Sequence, residues 1–359
     1  MDVGALVLVE SRGPGFLACD NGNGSWNVEL DDGTDADVPT EMITLCADQS
    51  RELLLQAASS APPIPCGARI VRDPREVKPD GWTRFVCFSD THGLHDQIPA
   101  AHVIQADVLL HAGDFTNTGE LDQIESLVRW LRAYPAEHKV VIAGNHDITL
   151  HTEFYEEGGW RRFHESPLDC RRARELLTAG DCTYLEDEAV EICGYRIYGS
   201  PWQPAFCDWA FNLARGEECR QKWAVIPECV DVLMTHGPPY GRGDHAGGSG
   251  PARVGCEDLR RAIESRAVSV SVAGHVHEGY GTSTDDVTFY VNASTCTHDY
   301  RPTNPPIVFD CPPAAELRAT TIAAAGAREE ARRRAQEHIP KDVQSELRAA
   351  ERERLAALV

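Results

Sequence analysis

Short apolar runs, each closed by a side chain able to hold a cation or end a turn, constrain this chain more than any other feature. Phe85-Val86-Cys87-Phe88 leads into Ser89-Asp90, Val108-Leu109-Leu110-His111-Ala112 into Gly113-Asp114, and Val140-Val141-Ile142-Ala143 into Gly144-Asn145. Val232-Leu233-Met234-Thr235 then runs into His236, and the stretch Val268 to His277 ends in Gly274-His275-Val276-His277. These runs are continuous rather than alternating, which predicts strands covered on both faces; helical stretches between them, such as 120–133, make βαβ units. Further strands are expected from Asp286 to Val291 and from Pro306 to Phe309. In such sheets the polar residues at strand ends lie where ligands bind.

The flanks read differently. Residues 1–46 alternate apolar and polar positions between Gly, Asp and Asn turns, as in Ser25-Trp26-Asn27-Val28-Glu29-Leu30 before Asp31-Asp32-Gly33. A small β-barrel-like module is expected there. Its pattern resembles Tudor-like modules, with partner recognition and a passive stabilising role both open. Residues 47–83 read as a linker that includes a helical stretch at 51–57 and the extended Ala61-Pro62-Pro63-Ile64-Pro65. From Pro313 the chain is rich in Ala, Arg and Glu at helical spacing, so residues 312–359 predict a solvated, charged helical tail broken at Pro340.

With 34 basic and 56 acidic residues the net charge is −22, which disfavours a nucleic-acid partner. Small phosphates are not excluded, because bound cations set the field at a metal site. No leader-like start or run of about 18 apolar residues is present, so no membrane partner and a cytoplasmic location are expected. The 13 cysteines lack paired short spacings and read as reduced thiols.

Taken singly, a strand-end Asp is a cap or turn residue and a lone His a structural one. Here carboxylate, imidazole and amide groups close successive strands, a mixture suited to manganese, iron or zinc. Asp90 and His92 stand two apart, so an irregular loop must turn both inward, with Gly93 supplying freedom. Gly113, Gly144 and Gly274 each precede a ligand-capable residue, consistent with tight turns at crowded edges.

The ordered set Asp90-Thr91-His92, Gly113-Asp114, Gly144-Asn145-His146-Asp147, His236 and Gly274-His275-Val276-His277 resembles the calcineurin-like metallophosphoesterase superfamily over about residues 84–311. Gly199-Ser200-Pro201-Trp202-Gln203-Pro204, Trp209-Ala210-Phe211-Asn212-Leu213 and Thr235-His236-Gly237-Pro238-Pro239 are similar to its metallophosphoesterase-domain-containing subfamily. The resemblance implies an α/β fold, a four-layer α/β/β/α sandwich with metals at the strand ends of one rim. It also implies that Asp90, His92 and His277 hold one metal, that Asn145, His236 and His275 hold the other, and that Asp114 bridges them. Manganese is the favoured ion. A bridging water or hydroxide would then attack phosphorus.

By the same resemblance His146 contacts the phosphoryl oxygens or protonates the leaving group, with Asn145 beside it against the substrate. Asp147 either orients His146 or caps the turn. His95 either faces the pocket or lies in a surface loop, and Trp202, Trp209, Phe211 and Tyr280 either line a slot or pack. The expected activity is hydrolysis of small phosphodiesters or cyclic nucleotides; a phosphomonoesterase and a non-catalytic protein-binding scaffold are the alternatives.

Overall fold

The computed structural model describes residues 64–247 and 253–337, together with five strands between Leu6 and Leu45. The chain divides into two units, Met1–Pro63 and Ile64–Val359. In the first, β1 (Leu6–Val9), β2 (Gly13–Asp20), β3 (Ser25–Leu30), β4 (Asp35–Pro39) and β5 (Ile43–Leu45) form an antiparallel sheet in the order β4-β3-β2-β1-β5. An irregularity between Leu17 and Cys19 shifts the β2–β3 register, as an extra residue in one strand does. The expected helical stretch at 51–57 and the break at Pro340 lie outside the described residues.

The second unit carries two six-stranded sheets. The first contains β6 (Arg69–Ile70), β7 (Thr83–Phe88), β8 (Ala106–His111), β9 (Ala136–Val141), β10 (Thr183–Tyr184) and β19 (Ile307–Cys311), ordered β10-β9-β8-β7-β19-β6. The second contains β11 (Glu188–Ile192), β12 (Tyr195–Ser200), β15 (Val232–Thr235), β16 (Val270–Ala273), β17 (Gly281–Thr284) and β18 (Phe289–Asn292), ordered β11-β12-β15-β16-β18-β17. Two short strands, β13 (Gln203–Pro204) and β14 (Asn212–Leu213), pair beside them. Strands β7 to β10 are parallel, as are β12, β15, β16 and β18, while antiparallel strands finish the sheets.

Side-chain alternation explains why the strands are apolar throughout. Phe85 and Cys87 point to one face with Val108, Leu110 and Val140, where they meet Ile197, Val232, Met234, Val270 and Val272 of the other sheet. Val86, Phe88, Leu109 and Val141 point to the opposite face and meet Ile124, Leu127 and Leu131 of α1 (Leu121–Ala133). That face also receives Ala173 and Leu177 from α3 (Cys170–Thr178); the five-residue α2 is Thr152–Glu156. On the outer face of the second sheet, Tyr198, Leu233 and Tyr290 pack with Trp223 of α4 (Glu217–Ala224) and Leu259 and Ile263 of α5 (Glu257–Arg266). Helices thus cover the outside of both sheets, and the central strands β7, β15, β16 and β18, buried at every position, have no solvated side to mark.

Two boundaries differ from the sequence reading. Residues 64–83, placed there in the linker 47–83, join the larger unit: β6 extends the first sheet beside β19, and Arg69 and Arg84 both pair with the fully buried Asp310. A buried carboxylate needs such partners, and residues far apart in sequence supply them. The tail is also not wholly solvated. In α6 (Ala314–Glu337) Leu317 and Thr321 are buried, and Arg318 makes two hydrogen bonds to Asp231 at 2.7 and 2.6 Å. Among the described residues no helix is long and apolar enough to cross a membrane.

Candidate metal centre

All the ligand-capable residues leave the C-terminal ends of parallel strands. β7 delivers Asp90 and His92, β8 Asp114, β9 Asn145 and His146, β15 His236, and β16 His275 and His277. The loops stay paired past the strands: Asp90 N–H donates to Gly113 O, His92 N–H to Asp114 O and Gly274 N–H to His236 O. This backbone lattice fixes side chains from both sheets around one point.

The local conformation is costly. Asp90, His92, Asp114 and His275 all have positive φ, at 52°, 44°, 54° and 67°. Such left-handed backbone costs on the order of 1–3 kcal/mol per residue outside glycine and persists only where the surroundings impose it. It turns Asp90 and His92 inward together, and Gly93, at φ 73°, uses the freedom expected of it in the same turn. The preceding glycines answer to space. A Cβ on Gly113 would lie 2.7 Å from Ala143 O and His236 Nδ1, one on Gly144 would overlap Asp114 Oδ1, and one on Gly274 would overlap Ser89 Oγ and Asp90 Oδ2.

Two sets of donor atoms result. In one, His277 Nε2 lies 3.2 Å from His92 Nε2 and 3.5 Å from Asp90 Oδ1. In the other, His236 Nε2 lies 3.2 Å from Asp114 Oδ2 and 3.0 Å from Asn145 Oδ1, with His275 in the same cluster. Asp114 also clusters with His92 and His146, so it stands within reach of both sets. The ring orientations suit ligation: His277 Nδ1–H donates to Thr297 O at 3.0 Å and His236 Nδ1–H to Ala112 O at 2.8 Å, which turns both Nε2 atoms inward.

Electrostatics agree with a cation site. Burial pushes Asp90 up, but His277 and the charges of His236 and His92 outweigh it and hold the carboxyl well below its usual range. Asp114 is likewise held down against burial, chiefly by His236. Burial lowers His92 and His275 to about 3, so both are neutral and able to ligate at neutral pH. For His236 burial works downward, yet the Asp114 charge and hydrogen bond raise it to about 9.

Asp147 does not touch the His146 ring; of the two roles open for it, the structure gives the structural one. Its Oδ2 accepts from Asp114 N–H (2.9 Å) and Gly144 N–H (2.8 Å), and its Oδ1 from Thr116 N–H (2.9 Å) and Thr116 Oγ1–H (2.7 Å). The fully buried carboxylate therefore fastens the β8 loop to the β9 loop. Burial and the Asp114 charge push it up to about 7, against the pull of those donors. His146 Nδ1–H donates to Asn117 O instead, at 2.7 Å.

His95 is neither in the pocket nor on the surface. It is buried beside Trp130, and its Nε2 lies 3.0 Å from Ser126 Oγ. Of the four aromatics, Trp202 packs on His151 and Phe211, Phe211 is fully buried, and Tyr280 Oη–H donates to Pro305 O. Trp209 alone reaches the site, stacked on His146. Sequence reasoning missed Ser294, which donates to Asp90 Oδ2 at 2.8 Å, and the exposed rings of Tyr300 beside His92 and of Phe206 beside His275. Ser294 follows Asn292 at the end of β18, so the strand-end rule that found the others applied to it.

The strand-end cluster of imidazoles and carboxylates defines a candidate divalent-metal centre of the kind that works on phosphoesters. Residues 83–279 match the model of the calcineurin-like phosphoesterase family. The chain is 46% identical over 243 residues to metallophosphoesterase domain-containing protein 1 of Homo sapiens, covering 66% of this chain and 73% of that protein, with the same figures for Mus musculus. It is 37% identical over 269 residues to UPF0046 protein C25E10.12 of Caenorhabditis elegans, covering 70% of this chain and 93% of that one. The chain belongs to the calcineurin-like phosphoesterase family, in the metallophosphoesterase-domain-containing subfamily.

Proposed function

We propose that this protein is a phosphodiesterase that uses two divalent cations, manganese in preference, to hydrolyse small diesters or cyclic nucleotides. The observation that carries the reading is the place of Asp114, which clusters with His236 and His275 and also with His92 of the other set. Asp90, His92 and His277 would hold one ion, Asn145, His236 and His275 the other, and the Asp114 carboxylate would serve both. A carboxylate, imidazole and amide set without thiolate suits such ions. When bound, the pair polarises the phosphoryl oxygens and supplies a water of lowered pKa as nucleophile.

The chain's own groups do the rest. Ser294 and the His275 N–H fix the Asp90 carboxylate, and Asp147 fixes Asp114 by its backbone. His146, tied at Nδ1 to Asn117 O, keeps Nε2 for the phosphoryl oxygens and for the proton that the departing alkoxide takes. Preference for a diester rests on the surroundings. The exposed rings beside the site are Phe206 and Tyr300, which suit a phosphate with organic groups on both sides.

Metal analysis of the purified protein, alongside hydrolysis of diesters, monoesters and cyclic nucleotides, tests this. Two ions per chain with faster turnover of diesters is the expected result. Bound metal without turnover would leave a scaffold, and faster turnover of monoesters would overturn the diester assignment.

A further inference from the structure

The loop after β13 makes an aromatic contact that the proposed chemistry has not used. Trp209 stacks on the His146 imidazole with centroids 4.1 Å apart and planes 27° apart, while Phe163 supports Trp209 from 4.4 Å. On another side His92 meets His146 edge-on at 4.6 Å. With Nδ1 tied to Asn117 O, the imidazole is held by a stack, an edge and a hydrogen bond, which together define its tilt and its free nitrogen.

The loop itself is built to hold that tryptophan. Cys207 and Asp208 both have φ of 51°, a pairing of left-handed residues that the surroundings must impose. Asn212 supplies part of the constraint: its Oδ1 accepts from Phe206 N–H and its Nδ2–H donates to Phe206 O, both at 3.2 Å. Arg162 donates to Cys207 O at 2.6 Å. Trp209 is half-buried beside the site, so it reaches His146 from a loop fixed on both sides.

We propose that Trp209 is a positioning residue that holds the His146 ring at the angle from which its free nitrogen serves the scissile ester. This rests on the assignment of His146 to leaving-group chemistry. Stacking fixes a ring without competing for its nitrogens, so the proton-carrying edge stays available. A ring free to rotate about its side-chain bonds spends less time aligned, and misplacement by about 1 Å can cost on the order of 10²-fold in rate.

The test compares Trp209→Leu, Trp209→Phe, His146→Ala and the double variant Trp209→Leu/His146→Ala on an alkyl diester and a nitrophenyl diester, with melting temperature and metal content measured for each. Trp209→Leu should lower kcat on the alkyl diester by on the order of 10-fold to 100-fold, with KM and bound metal little changed. The nitrophenyl substrate, whose leaving group departs unprotonated, should lose less. Trp209→Phe should recover most of the rate, and Trp209→Leu should cost nothing further once His146 is alanine, because residues acting as a unit are not additive. An equal loss with and without His146 overturns the positioning role while leaving the acid assignment standing. If His146→Ala itself loses no more on the alkyl than on the nitrophenyl diester, the acid assignment fails and the proposal falls with it. If Trp209→Leu does not fold, Phe163→Leu, which removes the support behind Trp209, gives the same comparison, and additivity of Phe163→Leu with His146→Ala is then the refuting result.

Discussion

Replacing Asp147 by alanine should damage stability and metal binding together, and the size of the effect follows from its four hydrogen bonds. The substitution orphans three buried N–H groups, those of Asp114, Thr116 and Gly144, while the Thr116 hydroxyl can turn to His146 O, already 3.4 Å away. An orphaned buried donor costs about 1–3 kcal/mol, so the loss is roughly 3–9 kcal/mol unless water enters. Against a typical total of about 5–15 kcal/mol this is severe. Asp147→Asn should cost much less. With its oxygen toward Asp114 and Gly144 and its amide toward a reoriented Thr116 hydroxyl, it strands only the Thr116 N–H, about 1–3 kcal/mol. Urea unfolding of both variants with metal chelated measures this, since a shifted midpoint at constant slope reports stability alone. Metal titration should show weakened binding for both, because Asp114 is carried on the loop that Asp147 fastens. Residual rate losses should be the same for alkyl and nitrophenyl diesters. A change below about 1 kcal/mol for Asp147→Ala, or a loss confined to substrates with poor leaving groups, would refute the fastening role and favour action through His146.

Asp114→Ala should abolish activity and reduce occupancy of both metal positions, whereas Asn145→Ala should weaken mainly one; two tightly bound ions in Asp114→Ala would rule out the shared ligand. Gly274→Ala should lose about 1–3 kcal/mol from overpacking and weaken metal binding, because the added methyl would displace Ser89 and Asp90; a variant with wild-type metal affinity would contradict that crowding. For His236, raised from 6.5 to about 9 by Asp114, the contribution of this pair to the chelated protein is fully present below pH 6.5 and is lost as pH rises through about 9. A cation must displace that proton, so apparent metal affinity should rise by up to about tenfold per pH unit below about 9, and a flat profile would exclude the competition.

The sequence by itself determined the strands that carry the site. Phe85 to Phe88 and Val140 to Ala143 are apolar at every position because both faces of these strands are buried, and that burial also pushes polar residues to the strand ends. The same pattern put Asp90, His92, Asp114, Asn145, His236, His275 and His277 at strand ends, with Gly113, Gly144 and Gly274 making room, and the family resemblance singled those residues out as candidate ligands. What only the tertiary structure decided depends on groups distant in sequence. Asp147 sits beside His146 in the chain, yet it spends its oxygens on Asp114, Thr116 and Gly144, since a buried carboxylate settles where donors converge. Ser294 reaches Asp90 across 204 residues, Trp209 reaches His146 from a loop with two left-handed residues, and β6 and α6 join the larger unit through Asp310 and Asp231. Strand periodicity is a local signal read within a few residues, whereas hydrogen bonds and ring stacks between loops exist only after the two sheets have packed and brought their ends together.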